Sequence, residues 1–90
     1  MAEVDVTMRL PVLRRGEEHP PNIVGRVQEM LKYIGKVEDL AVDDDFGPAT
    51  EQAVKNFQQN QGTDLAADGI VGQKTWEVLL GRWLFGISAG

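Results

Sequence analysis

The sequence predicts an all-α fold, a compact three-helix bundle with an extended N-terminal arm and two repeated turn–helix units. Three segments carry apolar residues at helical spacing, and glycine or proline bounds each of them. The turn around Asp43 also recurs 25 residues later, around Asp68. Such a recurrence indicates two copies of one supersecondary unit. We expect the domain to cover residues 10–84, with the arm at 1–9 and a short tail at 85–90.

The first helix is predicted from Ile23 to Ile34. Asn22 precedes it as a candidate N-cap, because its side-chain oxygen can accept a free backbone N–H. Gly35 is the expected end of the helix. In the loop that follows, Leu40 and Val42 are expected to point inward. The stripe on one face of this helix consists of Ile23, Val27, Met30, Leu31 and Ile34.

The second and third helices follow the two repeated turns. Pro48 suits a first helical position, where its missing N–H costs nothing, and Gly62 is expected to close the second helix. Gly81 lowers helix propensity near the end of the third. The two stripes are Thr50, Ala53, Val54 and Phe57, then Trp76, Leu79, Leu80 and Trp83. The aligned pairs of the repeat are Phe46 with Val71, Gly47 with Gly72, and Thr50 with Thr75.

Composition limits the classes of function. A chain of 90 residues makes one domain, and its lack of cysteine excludes disulfides and thiolate chemistry. The net charge of −5 argues against nucleic acid and anionic membranes as partners. No apolar run approaches the roughly 20 residues that a membrane helix needs. The first ten residues show no basic and apolar regions of a signal peptide, so none is expected.

Residues suited to catalysis or metal binding are scarce. Ser88 lies in the tail, and His19 lies in a proline-flanked loop, so no nucleophile and base are held together on rigid elements. The acidic run from Asp43 to Asp45 fails the pattern of a calcium loop, because Pro48 and Val54 stand where glycine and glutamate are needed. The sequence therefore predicts a protein that is not an enzyme and holds no metal or cofactor.

Two longer motifs carry a family resemblance. "FGPATEQAVKNFQ" begins at Phe46, and "DGIVGQKTW" begins at Asp68, with supporting matches at "LRRG" and "VGRVQEML". Together they resemble the peptidoglycan-binding domain family, type 1, over roughly residues 10 to 82. The chain departs from the family at Asp44, which stands where the first repeat has a glycine. If that glycine has positive φ, aspartate is a tolerable but strained substitute.

The resemblance implies a three-helix accessory module that binds bacterial peptidoglycan, through its glycan strand or its stem peptide, and docks a cell-wall hydrolase there. It also implies a location in the cell envelope or outside the cell. An alternative stays open, in which the same fold is a protein–protein adaptor or regulatory module that does not bind murein. We expect a monomer.

The predicted binding residues form two sets. Tyr33 and Trp83 are candidates for stacking on sugar rings. Trp76, by contrast, is expected in the core, because aromatic residues in a helical stripe usually serve packing. The family motif further implies that Gln58 bonds the adjacent loop. The residues expected at the edge of a shallow groove are Asp43, Asp45, Thr50, Gln58, Asp68 and Thr75.

Overall fold

The three predicted helices are present in the computed structural model, which describes residues 10–61 and 65–85 of the chain. They are α1 (Ile23–Ile34), α2 (Pro48–Asn60) and α3 (Gln73–Phe85). The described residues contain no strand, and so the all-α prediction is confirmed. The predicted arm, Gly62 and Ser88 lie outside the described residues. Gly81 lies within α3 and does not end the helix. The helix extends to Phe85, which the sequence assigned to the tail.

The hydrophobic core lies along α1, which packs against both α2 and α3. Each fully buried aliphatic or aromatic side chain stabilises the fold by about 1.5–3 kcal/mol relative to exposure. Phe46 and Val71, the aligned residues of the two repeated turns, are both buried. The core side chains are Leu13, Val24, Val27, Met30, Leu31, Leu40, Phe46, Ala53, Val54, Phe57, Val71, Trp76 and Leu79.

The start of α1 is capped differently from the prediction. Asn22 occupies the N-cap position, but its φ is 71° and its side chain makes no capping hydrogen bond. The carboxylate of Asp44 takes this role, since it accepts the backbone N–H of Asn22 at 2.9 Å and that of Gly25 at 2.8 Å. A residue distant in sequence thus satisfies N–H groups that a local cap would otherwise bond.

Both repeated units start their helices in the same way. The Gly47 carbonyl accepts the Glu51 N–H at 3.0 Å, and the Gly72 carbonyl accepts the Trp76 N–H at 2.9 Å. Pro48 occupies the start of α2, as its missing N–H predicts. The 25-residue recurrence in the sequence therefore corresponds to two equivalent turn–helix units.

The segment before α1 is fixed against the start of α3. Leu13 is fully buried and exchanges two backbone hydrogen bonds with Val71, at 3.1 and 2.9 Å. The Trp76 indole N–H donates to the Pro11 carbonyl at 2.8 Å, and the side chain is 2% exposed. The prediction that Trp76 belongs to the core is confirmed. Its indole N–H has the partner that a buried tryptophan requires.

The loop between α1 and α2 corrects one prediction. Leu40 is buried as expected, whereas Val42 is 45% exposed. The residues that follow Val42 bond to α1 through Gln28 and through the Asp44 cap. These bonds hold the chain at the surface beside α1, so Val42 borders a surface hollow instead of the core. No helix among the described residues has the length and apolar character needed to cross a bilayer.

Replacing Gly81 by alanine should raise the free energy of unfolding by about 0.5–1 kcal/mol, because alanine is the better helix former. A Cβ at this position would meet no atom within 4 Å. Urea denaturation of the wild type and the variant measures the difference.

Gly69→Ala is the matched contrast, because Gly69 has a φ of +75° and its Cβ would lie 2.8 Å from Cγ of Glu51. It should destabilise the fold by about 1–2 kcal/mol. Equal effects of the two substitutions would contradict this account of the glycines.

Candidate functional site

The eight predicted binding residues separate into two groups in the structure. Tyr33 and Trp83 form an exposed aromatic pair. The remaining six are distributed over two hydrogen-bond networks, each centred on a buried glutamine side chain. Those six are Asp43, Asp45, Thr50, Gln58, Asp68 and Thr75.

The second network is built around Gln58, which is 1% exposed. The two N–H groups of its Nε2 are shared among three acceptors, Asp68 Oδ1 at 3.2 Å, the Ile70 carbonyl at 3.0 Å and Thr75 Oγ1 at 3.1 Å. Its Oε1 accepts the Gly69 N–H at 3.0 Å. One amide group thus joins α2, the turn and the first turn of α3, as the family motif implies.

The first network repeats this arrangement around Gln28, which is fully buried. The two N–H groups of Nε2 are shared among Asp43 Oδ1 at 3.0 Å, the Asp45 carbonyl at 3.1 Å and Thr50 Oγ1 at 3.0 Å. Oε1 accepts the Asp44 N–H at 2.9 Å. The two networks match atom for atom. Each partner of Gln28 lies 25 residues before the corresponding partner of Gln58.

Gln28 is a key residue that the sequence analysis missed. It precedes Gln58 by 30 positions (58 − 28), whereas the turns are 25 apart, so a constant offset does not align the two glutamines. A signal was nevertheless present. Each glutamine directly follows a core residue of its helix, Val27 in one case and Phe57 in the other.

The two aspartates of the networks also shape their own turns. Asp43 Oδ1 accepts the Asp45 N–H, and Asp68 Oδ1 accepts the Ile70 N–H, both at 3.0 Å. Such side-chain to backbone bonds two residues on define an Asx-turn. The carboxylates remain at the exposed surface, whereas the threonine hydroxyls and the Gln58 amide are buried and already bonded.

Hydrogen bonds to the charged form lower the pKa of two carboxyls in the first turn. The pKa of Asp43 lies below its ordinary value, mainly because the Gln28 amide donates to it, with the Asp45 N–H as the second cause. The pKa of Asp44 is also lowered, first by the Asn22 N–H and then by the Gly25 N–H. Both effects favour the ionised carboxylate in the folded state.

Asp44 also carries the departure from the family pattern. Its φ is 63°, and its counterpart in the second unit, Gly69, has a φ of 75°. The backbone at this position is left-handed in both units, so the condition under which aspartate is a tolerable but strained substitute is met. In the first unit the strain of aspartate is offset by the two hydrogen bonds that its carboxylate makes to the start of α1.

The aromatic pair lies where α1 and α3 approach each other. The rings of Tyr33 and Trp83 have centroids 5.8 Å apart at an interplanar angle of 58°, and the residues are 75% and 43% exposed. Offset or tilted aromatic pairs at this distance attract one another. The pair is therefore an apolar surface that is already assembled and is accessible to solvent.

Two adjoining hollows continue from this pair along α1. One of about 400 Å³ is lined by Tyr33, Ile34, Lys36 and Trp83. The larger, of about 700 Å³, shares Tyr33 and Lys36 with it. We call the two together the α1 groove. The larger hollow is lined by Glu29, Lys32, Tyr33, Lys36, Glu38 and Val42.

His19 takes a structural position in its loop. Its Nε2 accepts the Arg14 N–H at 3.2 Å, and its ring centroid lies 6.0 Å from that of Phe46. Within residues 10–61 and 65–85, no three His, Cys, Asp or Glu side chains are grouped to hold a metal ion.

Gln58→Leu should lower the free energy of unfolding by about 2–3 kcal/mol, because the Gly69 N–H and its neighbours lose a buried partner. Gln59→Leu is the control, since Gln59 is exposed on the same helix and should change stability by less than about 0.5 kcal/mol. Chemical denaturation measures both, and similar losses in the two variants would count against the network.

Asp44→Asn should reduce the sensitivity of the fold to acid. A carboxyl with a lowered pKa in the folded state stabilises that state above its ordinary pKa of about 4. This stabilisation is lost as the pH falls through 4 toward the lowered value. The denaturation midpoint should therefore fall less in the variant than in the wild type between about pH 6 and pH 3.

Asp39→Asn serves as the control for this measurement, because the Asp39 carboxylate accepts no hydrogen bond from the described part of the chain. Its acid profile should follow the wild type. An Asp44→Asn profile that also overlaps the wild type would show that the cap does not respond to acid.

A zinc D-Ala-D-Ala carboxypeptidase of Streptomyces albus G is 52% identical to the chain over 44 residues. The match covers 49% of this chain and 16% of the carboxypeptidase, so the likeness concerns a small part of that protein. No solved structure matches the chain significantly.

A family model described as "Putative peptidoglycan binding domain" matches residues 21–79, which is more than half of the chain and includes both glutamine networks. The match agrees with the three-helix fold, with the motifs at the two turns, and with the family that those motifs resemble. The chain belongs to this peptidoglycan-binding domain family.

Proposed function

We propose that this chain is a non-catalytic module that binds bacterial cell-wall peptidoglycan and thereby holds an associated wall hydrolase at its substrate. The observation that carries the proposal is the exposed Tyr33–Trp83 pair at the α1 groove, in a domain of a peptidoglycan-binding family. Aromatic faces that are apolar and accessible suit the apolar faces of sugar rings.

The two hydrogen-bond networks have a supporting role in this proposal. Gln58, Thr50 and Thr75 are at most 4% exposed, and their polar atoms are bonded within the domain. They hold the turns from inside. In this proposal the exposed aromatic rings contact the ligand. The carboxylates of Asp43, Asp45 and Asp68 are also accessible to it, because they lie at the surface of the two turns.

The association with a hydrolase is supported by the relative found in Streptomyces albus G. That protein is named as a zinc D-Ala-D-Ala carboxypeptidase, and only a 44-residue segment of it matches this chain. A binding module next to a catalytic domain raises the effective concentration of the enzyme at an insoluble substrate. We therefore place this chain beside, and not within, the catalytic machinery.

Co-sedimentation with purified insoluble peptidoglycan tests the proposal. The wild type should pellet saturably, and Tyr33→Ala and Trp83→Ala should each weaken binding about five- to tenfold, since an aromatic contact of this kind contributes about 1–1.5 kcal/mol. Circular dichroism confirms that the variants remain folded. The assay should be run at low and moderate salt.

Leu84→Ala provides the matched control. Leu84 is 59% exposed on α3, like Trp83, but does not line the α1 groove. It should pellet as the wild type does. If the wild type stays in the supernatant with several chemical types of murein, the proposal is wrong and the adaptor alternative replaces it.

A further inference from the structure

We infer that the α1 groove recognises the stem peptide of peptidoglycan, with Lys32 and Lys36 binding carboxylates and Glu38 binding an amine. The inference rests on the proposed function and extends it, because it names the part of the polymer that the groove selects. The aromatic pair then holds the sugar from which that peptide branches.

The charges that line the groove are the first support. Lys32, Lys36 and Glu38 all border the hollow of about 700 Å³. Among the described residues, none of the three takes part in an ion pair. Glu29, on the same wall, lies 3.7 Å from Arg26. The groove thus presents two free cations and one free anion in an otherwise acidic protein.

This pattern complements a peptide better than it complements a sugar polymer. The glycan strand of peptidoglycan carries acetamido and hydroxyl groups, and the lactyl carboxyl of its second sugar is uncharged while the stem peptide is joined to it by an amide bond. A stem peptide carries carboxylates and, in many bacteria, the amine of a diamino acid. Each charged group of such a peptide then lies next to a groove side chain of opposite sign. This charge complementarity fixes the position of the peptide along the groove.

The dimensions of the groove are the second support. The α1 side of the larger hollow extends from Glu29 to Tyr33. At a rise of about 1.5 Å per residue, this distance is about 6 Å. Two extended residues span about 7 Å. The hollow therefore matches a short peptide in length, and Val42 supplies an apolar contact on the opposite, loop side.

The position of the rings orders the two parts of the ligand. Tyr33 and Lys36 border both hollows, so the aromatic pair directly adjoins the charged hollow. A sugar stacked at Trp83 would lie beside the hollow that Lys32 and Glu38 border. In peptidoglycan the peptide branches from a sugar. The groove likewise places a surface for a sugar, the aromatic pair, directly beside a charged hollow for a peptide.

The experiment uses three soluble probes and isothermal titration calorimetry: a disaccharide–peptide muropeptide, the free stem peptide, and the same peptide with its C-terminal carboxylate amidated. The wild type should bind the muropeptide best. It should bind the amidated peptide about three- to tenfold more weakly than the free acid, as expected for one exposed charge pair or two. Lys32→Gln/Lys36→Gln should bind both peptides equally weakly.

Lys55→Gln/Lys74→Gln is the control, since it changes the net charge equally and neither lysine lines the groove. This variant should keep the wild-type preference for the free acid. Glu38→Gln should weaken only peptides that carry a side-chain amine.

Pelleting with insoluble peptidoglycan, in competition with a soluble muropeptide or a soluble N-acetylglucosamine oligomer, distinguishes failure of this inference from failure of the proposed function. An oligomer that displaces the wild type as effectively as the muropeptide does would overturn the stem-peptide inference and leave the proposed function standing. Wild-type protein that does not pellet at all would overturn the proposed function itself. Lys32→Gln/Lys36→Gln that retains the preference for the free acid would also overturn the inference.

Discussion

The fold depends on a buried glutamine amide, used twice. An amide offers two N–H donors and a carbonyl acceptor. In Gln28 and Gln58 the carbonyl accepts an N–H of the following turn, and the N–H groups bond that turn and the threonine in the first turn of the next helix. Leaving such a group unpaired in the interior costs about 1–3 kcal/mol. Turn conformation, helix start and the packing of successive helices are therefore coupled. No buried side-chain polar atom in the described residues lacks a partner, which agrees with networks that are complete.

The same network supports two different surfaces, because the two connections differ in length. Gln28 and Asp43 are 15 residues apart, whereas Gln58 and Asp68 are 10 apart. Four of the five additional residues (15 − 10) lengthen α1, which continues six residues past Gln28 whereas α2 continues two past Gln58, and one lengthens the loop. The longer end of α1 supplies Lys32 and Tyr33, and the loop supplies the remaining lining residues of the larger hollow beyond Glu29. The larger hollow of the groove is thus a property of the first unit, and it arises where the internal repeat is least regular.

Much of the fold could be predicted, because apolar periodicity and helix-start chemistry are local signals. They placed α1 at its observed bounds and Trp76 in the core. The cap of α1 by Asp44 could not be read in this way, because its partners lie about 20 residues away in sequence. Val42 was misplaced for the same reason, since distant bonds and not its own hydrophobicity decide its exposure. The candidate groove combines side chains from α1, a loop and α3, and only the fold brings these together.

The separation of scaffold and groove has a consequence for binding. Tyr33 lies on α1, which the Gln28 network ties to the start of α2, and Trp83 lies on α3, which Thr75 and the Trp76–Pro11 bond hold at its other end. The two rings are thereby presented by elements whose positions are set elsewhere in the domain. A preorganised aromatic pair loses little conformational entropy when a ligand arrives, so a shallow surface can bind with few contacts. We therefore expect affinity at the proposed site to depend on the identity of the exposed side chains, while the buried amides fix the helices that carry them.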